Sequence, residues 1–254
     1  MTETLTSSLP LSGKTSLVTG ASRGVGASVA RQLAELGADV AINYRSKKPR
    51  AEEVASVIAA FGRRVLLLQA DITEAKDIDA TFEQIHQAWG QLDILVLNAS
   101  GGLETDKAAD YAMNLNLHAQ MNLVRGALPL MRSGGKIVFV TSHLAHFFGT
   151  KPVYPGYEPV AASKKAGEDA LRAMIPELSE RGIRLVIISG DLIEGTITPK
   201  LLQRQYPGLI ASRKQEAGSL PDVEEFASAI VDGAISDKHE TGTTVYVGST
   251  EWSG

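Results

Sequence analysis

Short, nearly continuous apolar runs alternate along the chain with longer stretches that repeat apolar residues every three or four positions. The runs are Ser16 to Thr19, Val40 to Tyr44, Val65 to Ala70, Ile94 to Leu97, Ile137 to Thr141, Leu185 to Ser189 and Thr243 to Val247. They are rich in β-branched residues and do not alternate strictly with polar ones, the pattern of strands buried on both faces of a parallel sheet. Between them the spacing predicts helices over 24–37, 49–62, 74–90, 107–132, 159–181 and 222–236. The last opens on Pro221-Asp222 and repeats Val223, Phe226, Ala227, Ile230 and Val231 at helical intervals. Repeated strand–helix alternation predicts an α/β class, Rossmann-like doubly wound parallel sheet of about seven strands with helices on both faces. With no internal repeat or linker, 1–254 is expected to form a single domain. Residues 1–12 read as a polar arm. The connections 143–158 and 190–220 are longer than the fold needs, and such loops usually carry the site. The second, with its own short helical stretch, is expected to be a mobile substrate lid.

Composition narrows the function classes. The 254 residues are 44% hydrophobic and 21% charged, which suits a sizeable core. A formal net charge of −4 argues against a general hold on nucleic acid or anionic membrane, although it permits a local basic pocket. With Cys 0, disulfides, thiolate metal sites and a cysteine nucleophile are excluded. No apolar run approaches the roughly 18 residues of a spanning helix, and the first dozen residues lack a secretory pattern. A cytoplasmic location is the expectation. No His/Asp/Glu cluster has metal-ligand spacing, so no metal is expected.

The first strand runs into Thr19-Gly20-Ala21-Ser22-Arg23-Gly24-Val25-Gly26 and then directly into a helix. Glycines on such a turn let the backbone approach a pyrophosphate, and the helix start offers it free N–H groups. A second strand follows about twenty residues on and ends Asn43-Tyr44-Arg45-Ser46-Lys47-Lys48, with Arg50 close behind. The acidic residue that would meet a ribose 2′-hydroxyl is missing there. A guanidinium, a hydroxyl and lysines suit a 2′-phosphate, with Arg23 able to reach it too, so NADP(H) is expected over NAD(H).

Together with that turn, Asp71-Ile72, Asn98-Ala99-Ser100-Gly101, Asn116, Ser142 and Ala162-Ser163-Lys164 make the chain resemble the short-chain dehydrogenase/reductase family from about Ser12 to Gly248. The resemblance implies that Asp71 and Ile72 line an adenine pocket and that Asn98 stabilises the central strand and cofactor loop. It further implies that Asn116 holds a water in a proton relay, Ser142 bonds the substrate oxygen and Lys164 holds the nicotinamide ribose. A homodimer or homotetramer packed through 107–132 and 159–181 is implied as well.

At one position the pattern breaks. The family's mechanism needs a phenol four residues before the lysine, on the same helical face, and that position is Val160. Tyr154 and Tyr157 lie just upstream, and Pro159 is expected in the first turn of the helix, leaving Tyr157 ahead of it with its direction unset. Either phenol could replace the absent one, and His143 and His146 are alternative acids with pKa values nearer neutrality. Gly190 stands where the sixth strand ends, and Thr196 could touch the nicotinamide or pyrophosphate. Lys200, Arg204, Arg213 and Lys214 form either a solvated face or a surface for an acyl carrier. The sequence thus supports an NADPH-dependent reductase of a ketone or 3-oxoacyl-type carbonyl with a relocated donor. The alternative is a cofactor-binding relative with a non-redox role, whether dehydratase, cyclase, regulator or scaffold.

Overall fold

A computed structural model describes residues 9–103, 108 and 110–252. Its strands are β1 (Thr15–Val18), β2 (Asp39–Tyr44), β3 (Val65–Gln69), β4 (Ile94–Leu97), β5 (Lys136–Ser142), β6 (Arg184–Gly190) and β7 (Thr244–Val247). They form one seven-stranded sheet in the order β3-β2-β1-β4-β5-β6-β7, and every neighbouring pair is parallel.

Burial on both faces explains the unbroken apolar runs. Val138 and Val140 of β5 turn to one side, where α1 (Gly24–Glu35), α2 (Lys48–Ala60) and α11 (Val223–Ile235) bring Leu33, Ile58 and Ile230. Ile137 and Phe139 turn to the other, against Phe82 and Ile85 of α3 (Ala75–Trp89) and Leu123 of α5 (Ala119–Ala127). The start predicted for the last helix is seen in its cap, where Asp222 Oδ1 accepts the Glu225 N–H at 2.8 Å.

Several predicted spans are revised. Of the polar arm, residues 1–8 lie outside the described residues, whereas Leu11 is buried in the core. Within 107–132, positions 107 and 109 are likewise outside. The helical path then runs through α4 (Tyr111–Met113), a π turn over Asn114–His118 and α5. The span 159–181 divides at Met174 into α7 (Glu158–Ala173) and α8 (Ile175–Glu180). Pro176 causes the break, since it donates no N–H and its ring crowds the carbonyl four residues back. The 143–158 connection holds the one-turn α6 (His143–His146), and 190–220 holds two helices, α9 (Ile197–Gln205) and α10 (Leu209–Ala217).

Candidate active site

A cavity of about 1080 Å³ opens at the C-terminal ends of the strands, large for one small ligand and extending from the glycine turn to the 190–220 segment. Open parallel sheets place ligands at this end, where the strand order reverses between β1 and β4.

At its first end lie Gly20, Ser22, Arg23, Gly24, Val25 and Gly26. Gly20 has φ +65°, and a Cβ on Gly26 would come within 2.5 Å of the Asn98 side chain and 2.7 Å of the Gly20 carbonyl. Only glycine lets the turn close this tightly. The turn is braced from behind: Asn98 Nδ2 donates to the Thr19 carbonyl at 2.9 Å, and the Asn98 and Ala99 amides donate to Thr19 Oγ1, each at 3.0 Å. Asn43 contributes what the sequence reading missed. Its Oδ1 accepts the Gly20 N–H while its Nδ2 donates to the Leu68 and Ala70 carbonyls. A lone amide in an otherwise apolar buried strand was the available signal.

Helix α1 starts here with no side chain capping its first amides. That leaves donors for an anion. Tyr44, Arg45, Ser46, Lys47 and Arg50 line the adjacent wall, and Asp71, Ile72, Ala99 and Ser100 complete it. Arg45 is held in place by donating to the Tyr111 hydroxyl at 2.7 Å. Asp71 accepts the Thr73 amide and hydroxyl, shaping the turn after β3. These residues fit a dinucleotide: a cradle that a Cβ would fill, an open helix start and a cluster of cations.

At the other end the structure distinguishes the two tyrosines. Tyr157 is the N-cap residue of α7, with φ −92° and ψ −11°, and its carbonyl accepts the Ala161 N–H at 2.9 Å. Its backbone therefore already follows the helix, which sets the direction the sequence left open. Seven residues make nearly two full turns, so Tyr157 and Lys164 share a face, separated along the axis by about 10.5 Å. The buried Tyr157 hydroxyl lies 3.3 Å from Ser142 Oγ. Tyr154 also lines the cavity, within the electrostatic reach of Arg213, Glu216 and Asp191, and makes no hydrogen bond with Ser142. Val160 packs in the apolar cluster with Leu144 and Leu192, its Cγ2 3.1 Å from where a Cβ on Gly102 would sit.

Burial pushes the Tyr157 phenol above its ordinary pKa, and the Ser142 hydrogen bond works against this. The group stays protonated through neutral pH. Burial likewise pushes Lys164 down to about 8.

The other candidates are fixed by contacts of their own. Asn116 is buried outside the cavity wall. Its Nδ2 donates to the Gly101 carbonyl at 2.9 Å and Ser163 Oγ at 3.0 Å, so its side chain ties the π turn to α7. Thr196 lines the cavity, but its hydroxyl donates to the Ile193 carbonyl. Gly190 fits against Phe226, whose ring would lie 2.6 Å from an added Cβ. His146 binds Glu168 and Tyr246 and is not part of the cavity wall. Arg213 is buried in a two-pronged ion pair with Asp191, and Lys214 pairs with Glu194, so neither belongs to a free basic face.

His143 does line the cavity, with Nδ1 2.8 Å from Ser189 Oγ. Burial, opposed by Asp191 and reinforced by Arg213 and His146, lowers its pKa to about 4, so it is neutral rather than acidic near pH 7. Between pH 6.5 and 4 the unfolded chain binds a proton here that the folded chain refuses. Stability therefore falls as pH drops through that window, by about 3 kcal/mol at its acid end. Urea midpoints followed from pH 7 to 4 are expected to show this loss in the wild type and a shallower one in His143→Asn.

Residues 14–205 match the short chain dehydrogenase family. The chain belongs to that family. A hydroxynaphthalene reductase of Aspergillus fumigatus is 33% identical to it over 232 residues, covering 89% of this chain and 80% of the relative. A short chain dehydrogenase of Burkholderia cenocepacia, solved in complex with NADP, superposes with a TM-score of 0.82 at 30% identity, covering 94% and 97% of the two chains. An angucycline C-6 ketoreductase with bound NADP gives 0.79 at 29% identity, covering 95% and 96%. The family assignment fits the strand order and the glycine turn. In this short-chain dehydrogenase Val160 stands four residues before Lys164.

Proposed function

We propose that this short-chain dehydrogenase is an NADPH-dependent reductase of small-molecule ketones in which Tyr157 delivers the proton. The observation that carries this is the Tyr157–Ser142 hydroxyl pair, 3.3 Å apart, in the cavity that also contains Lys164 and the glycine turn. Gly20, Gly24 and Gly26 would admit the pyrophosphate, Arg23, Arg45 and Ser46 the 2′-phosphate, and Lys164 the nicotinamide ribose. The bound cofactor supplies the hydride. Ser142 and Tyr157 grip the carbonyl oxygen as it gains negative charge, and the Tyr157 phenol gives up its proton to it. A phenol kept protonated at neutral pH suits reduction better than the reverse reaction.

The apolar side chains around the substrate end, Leu103, Leu144, Val160, Leu192, Pro199 and Trp252, favour a cyclic or aromatic ketone. The relatives that reduce hydroxynaphthalenes and angucyclines point the same way. A carrier-bound acyl chain is less supported, because Arg213 and Lys214 are already paired. A homodimer or homotetramer is part of the same reading through family membership. The buried hydroxyl pair also favours a redox role over a dehydratase, cyclase or scaffold.

The test follows NADPH oxidation with 1-tetralone, cyclohexanone and an acetoacetyl thioester. Turnover is expected to be fastest with 1-tetralone, and absence of turnover with all three would overturn the reading. Cofactor choice is tested separately with Arg45→Asp. Losing charge-assisted hydrogen bonds to a 2′-phosphate is expected to weaken NADPH binding by roughly 10–100-fold and leave NADH binding little changed. Equal effects on both, in fluorescence titrations, would remove Arg45 from the phosphate site.

A further inference from the structure

Ser142 closes β5, paired with Gly190 of β6, while its hydroxyl caps a helix that cannot hold itself. It is the N-cap of α6, accepting the Ala145 N–H at 3.3 Å, and α6 is only the single turn His143–His146. One turn fixes several residues for very few internal hydrogen bonds, so α6 depends on what it is docked against.

The last residue of that turn, His146, reaches a carboxylate on the helix carrying Tyr157 and Lys164. Glu168 lies one turn beyond Lys164 in α7 and is 1% exposed. Both its oxygens lie 2.9 Å from His146 Nδ1, and Oε1 also accepts from Arg172 Nε at 2.9 Å. A carboxylate only accepts, so Nδ1 carries the proton. His146 Nε2 then meets the Tyr246 hydroxyl at 2.9 Å, while Arg172 donates onward to the Gly242 carbonyl and Thr244 Oγ1. The assembly joins α6, α7, β7 and the turn before it through charged and polar contacts behind the cavity wall. Burial would raise the Glu168 carboxyl, but its bonds and charge contacts with His146 and Arg172 hold it below the usual range.

We infer that Glu168 and His146 are positioning residues for proton delivery: their hydrogen bond locks α6 onto α7 and thereby sets Ser142 Oγ against the Tyr157 hydroxyl. The inference rests on the role proposed above for Tyr157. Glu168 touches neither substrate nor cofactor in this account, and it acts through the Ser142–Tyr157 pair. Misplacement of reacting groups by about 1 Å costs about 10²-fold in rate, and that is the expected scale of the loss.

The experiment measures NADPH-dependent turnover of 1-tetralone by His146→Ala, His146→Asn and Glu168→Gln, each alone and combined with Tyr157→Phe, together with NADPH dissociation constants. His146→Ala is expected to lower kcat about 100-fold, with NADPH binding within about twofold of wild type. His146→Asn places an amide donor near the lost Nδ1–H and recovers most of the rate. Glu168→Gln keeps an acceptor oxygen and gives an intermediate loss. In the Tyr157→Phe background all three become nearly silent, because the step they position has already gone. A crystal structure of His146→Ala supplies a readout free of activity, with the Ser142–Tyr157 hydroxyls moved beyond hydrogen-bonding distance. Losses that multiply with Tyr157→Phe, or an unchanged hydroxyl pair in His146→Ala, would overturn the positioning role. A Tyr157→Phe enzyme as fast as wild type would instead overturn the donor assignment itself.

Discussion

Tyr157→Phe is expected to lower kcat for ketone reduction by about 10²–10⁴-fold, the usual contribution of a general acid, while NADPH binding is retained. The substitution removes one oxygen from a buried side chain and leaves its ring packed with Val160, Ala161 and Leu192. Stability should change little, because the lost partner is Ser142, which still accepts from the Ala145 amide. The loss should therefore appear in the hydride step, visible as a slowed single turnover of bound NADPH. Tyr154→Phe serves as the control. That phenol lines the cavity but makes no hydrogen bond with Ser142, and its removal is expected to alter KM by no more than a few-fold. Equal losses from the two variants would mean that neither ring is specifically the donor.

The second large effect concerns the 190–220 segment, which lines the cavity. Arg213 of α10 donates from Nε to Asp191 Oδ1 at 3.0 Å and from Nη2 to Oδ2 at 2.6 Å, with side chains 2% and 6% exposed. Its Nη1 and Nη2 also reach the Glu251 and Ser249 carbonyls at 2.6 and 2.8 Å. One guanidinium thus binds α10, the end of β6 and the segment after β7. Arg213→Met leaves the Asp191 carboxylate buried without its partner, a loss of about 3–5 kcal/mol. The neighbouring Lys214–Glu194 pair is largely open to solvent, so Lys214→Ala should cost under about 1 kcal/mol. Urea denaturation of the two variants separates the cases. Similar losses would show that the buried pair does not anchor this segment. Arg213→Met should also raise KM for the ketone, because α9 and α10 wall the substrate end.

These two effects differ in how far the sequence revealed them. The strands were legible because burial on both faces leaves little room for polar residues, and the glycine turn because its backbone conformation admits few alternatives. That Val160 stands four residues before Lys164 was equally plain. Which way Tyr157, the proposed donor, points was not, since that depends on whether the residue before Glu158 and Pro159 adopts helical backbone angles. Asn116 was legible as a site residue by position, but its side-chain role depends on the π turn that brings it to Ser163. That turn is a tertiary arrangement with no local periodic signal. Arg213 read as part of a solvated basic stretch because α10 is polar. Its partner Asp191 lies on another element, and nothing in the local pattern marks one cation among several as the buried one. The His146–Glu168 contact was hidden for the same reason.

The most direct measurement of the donor assignment is a crystal structure of the enzyme with NADP+ and the alcohol product of 1-tetralone reduction. The account predicts the alcohol oxygen within hydrogen-bond reach of both the Tyr157 hydroxyl and Ser142 Oγ, with Val160 in apolar contact beside them. An alcohol oxygen held instead by Tyr154 or Lys164, with Tyr157 out of reach, would contradict it.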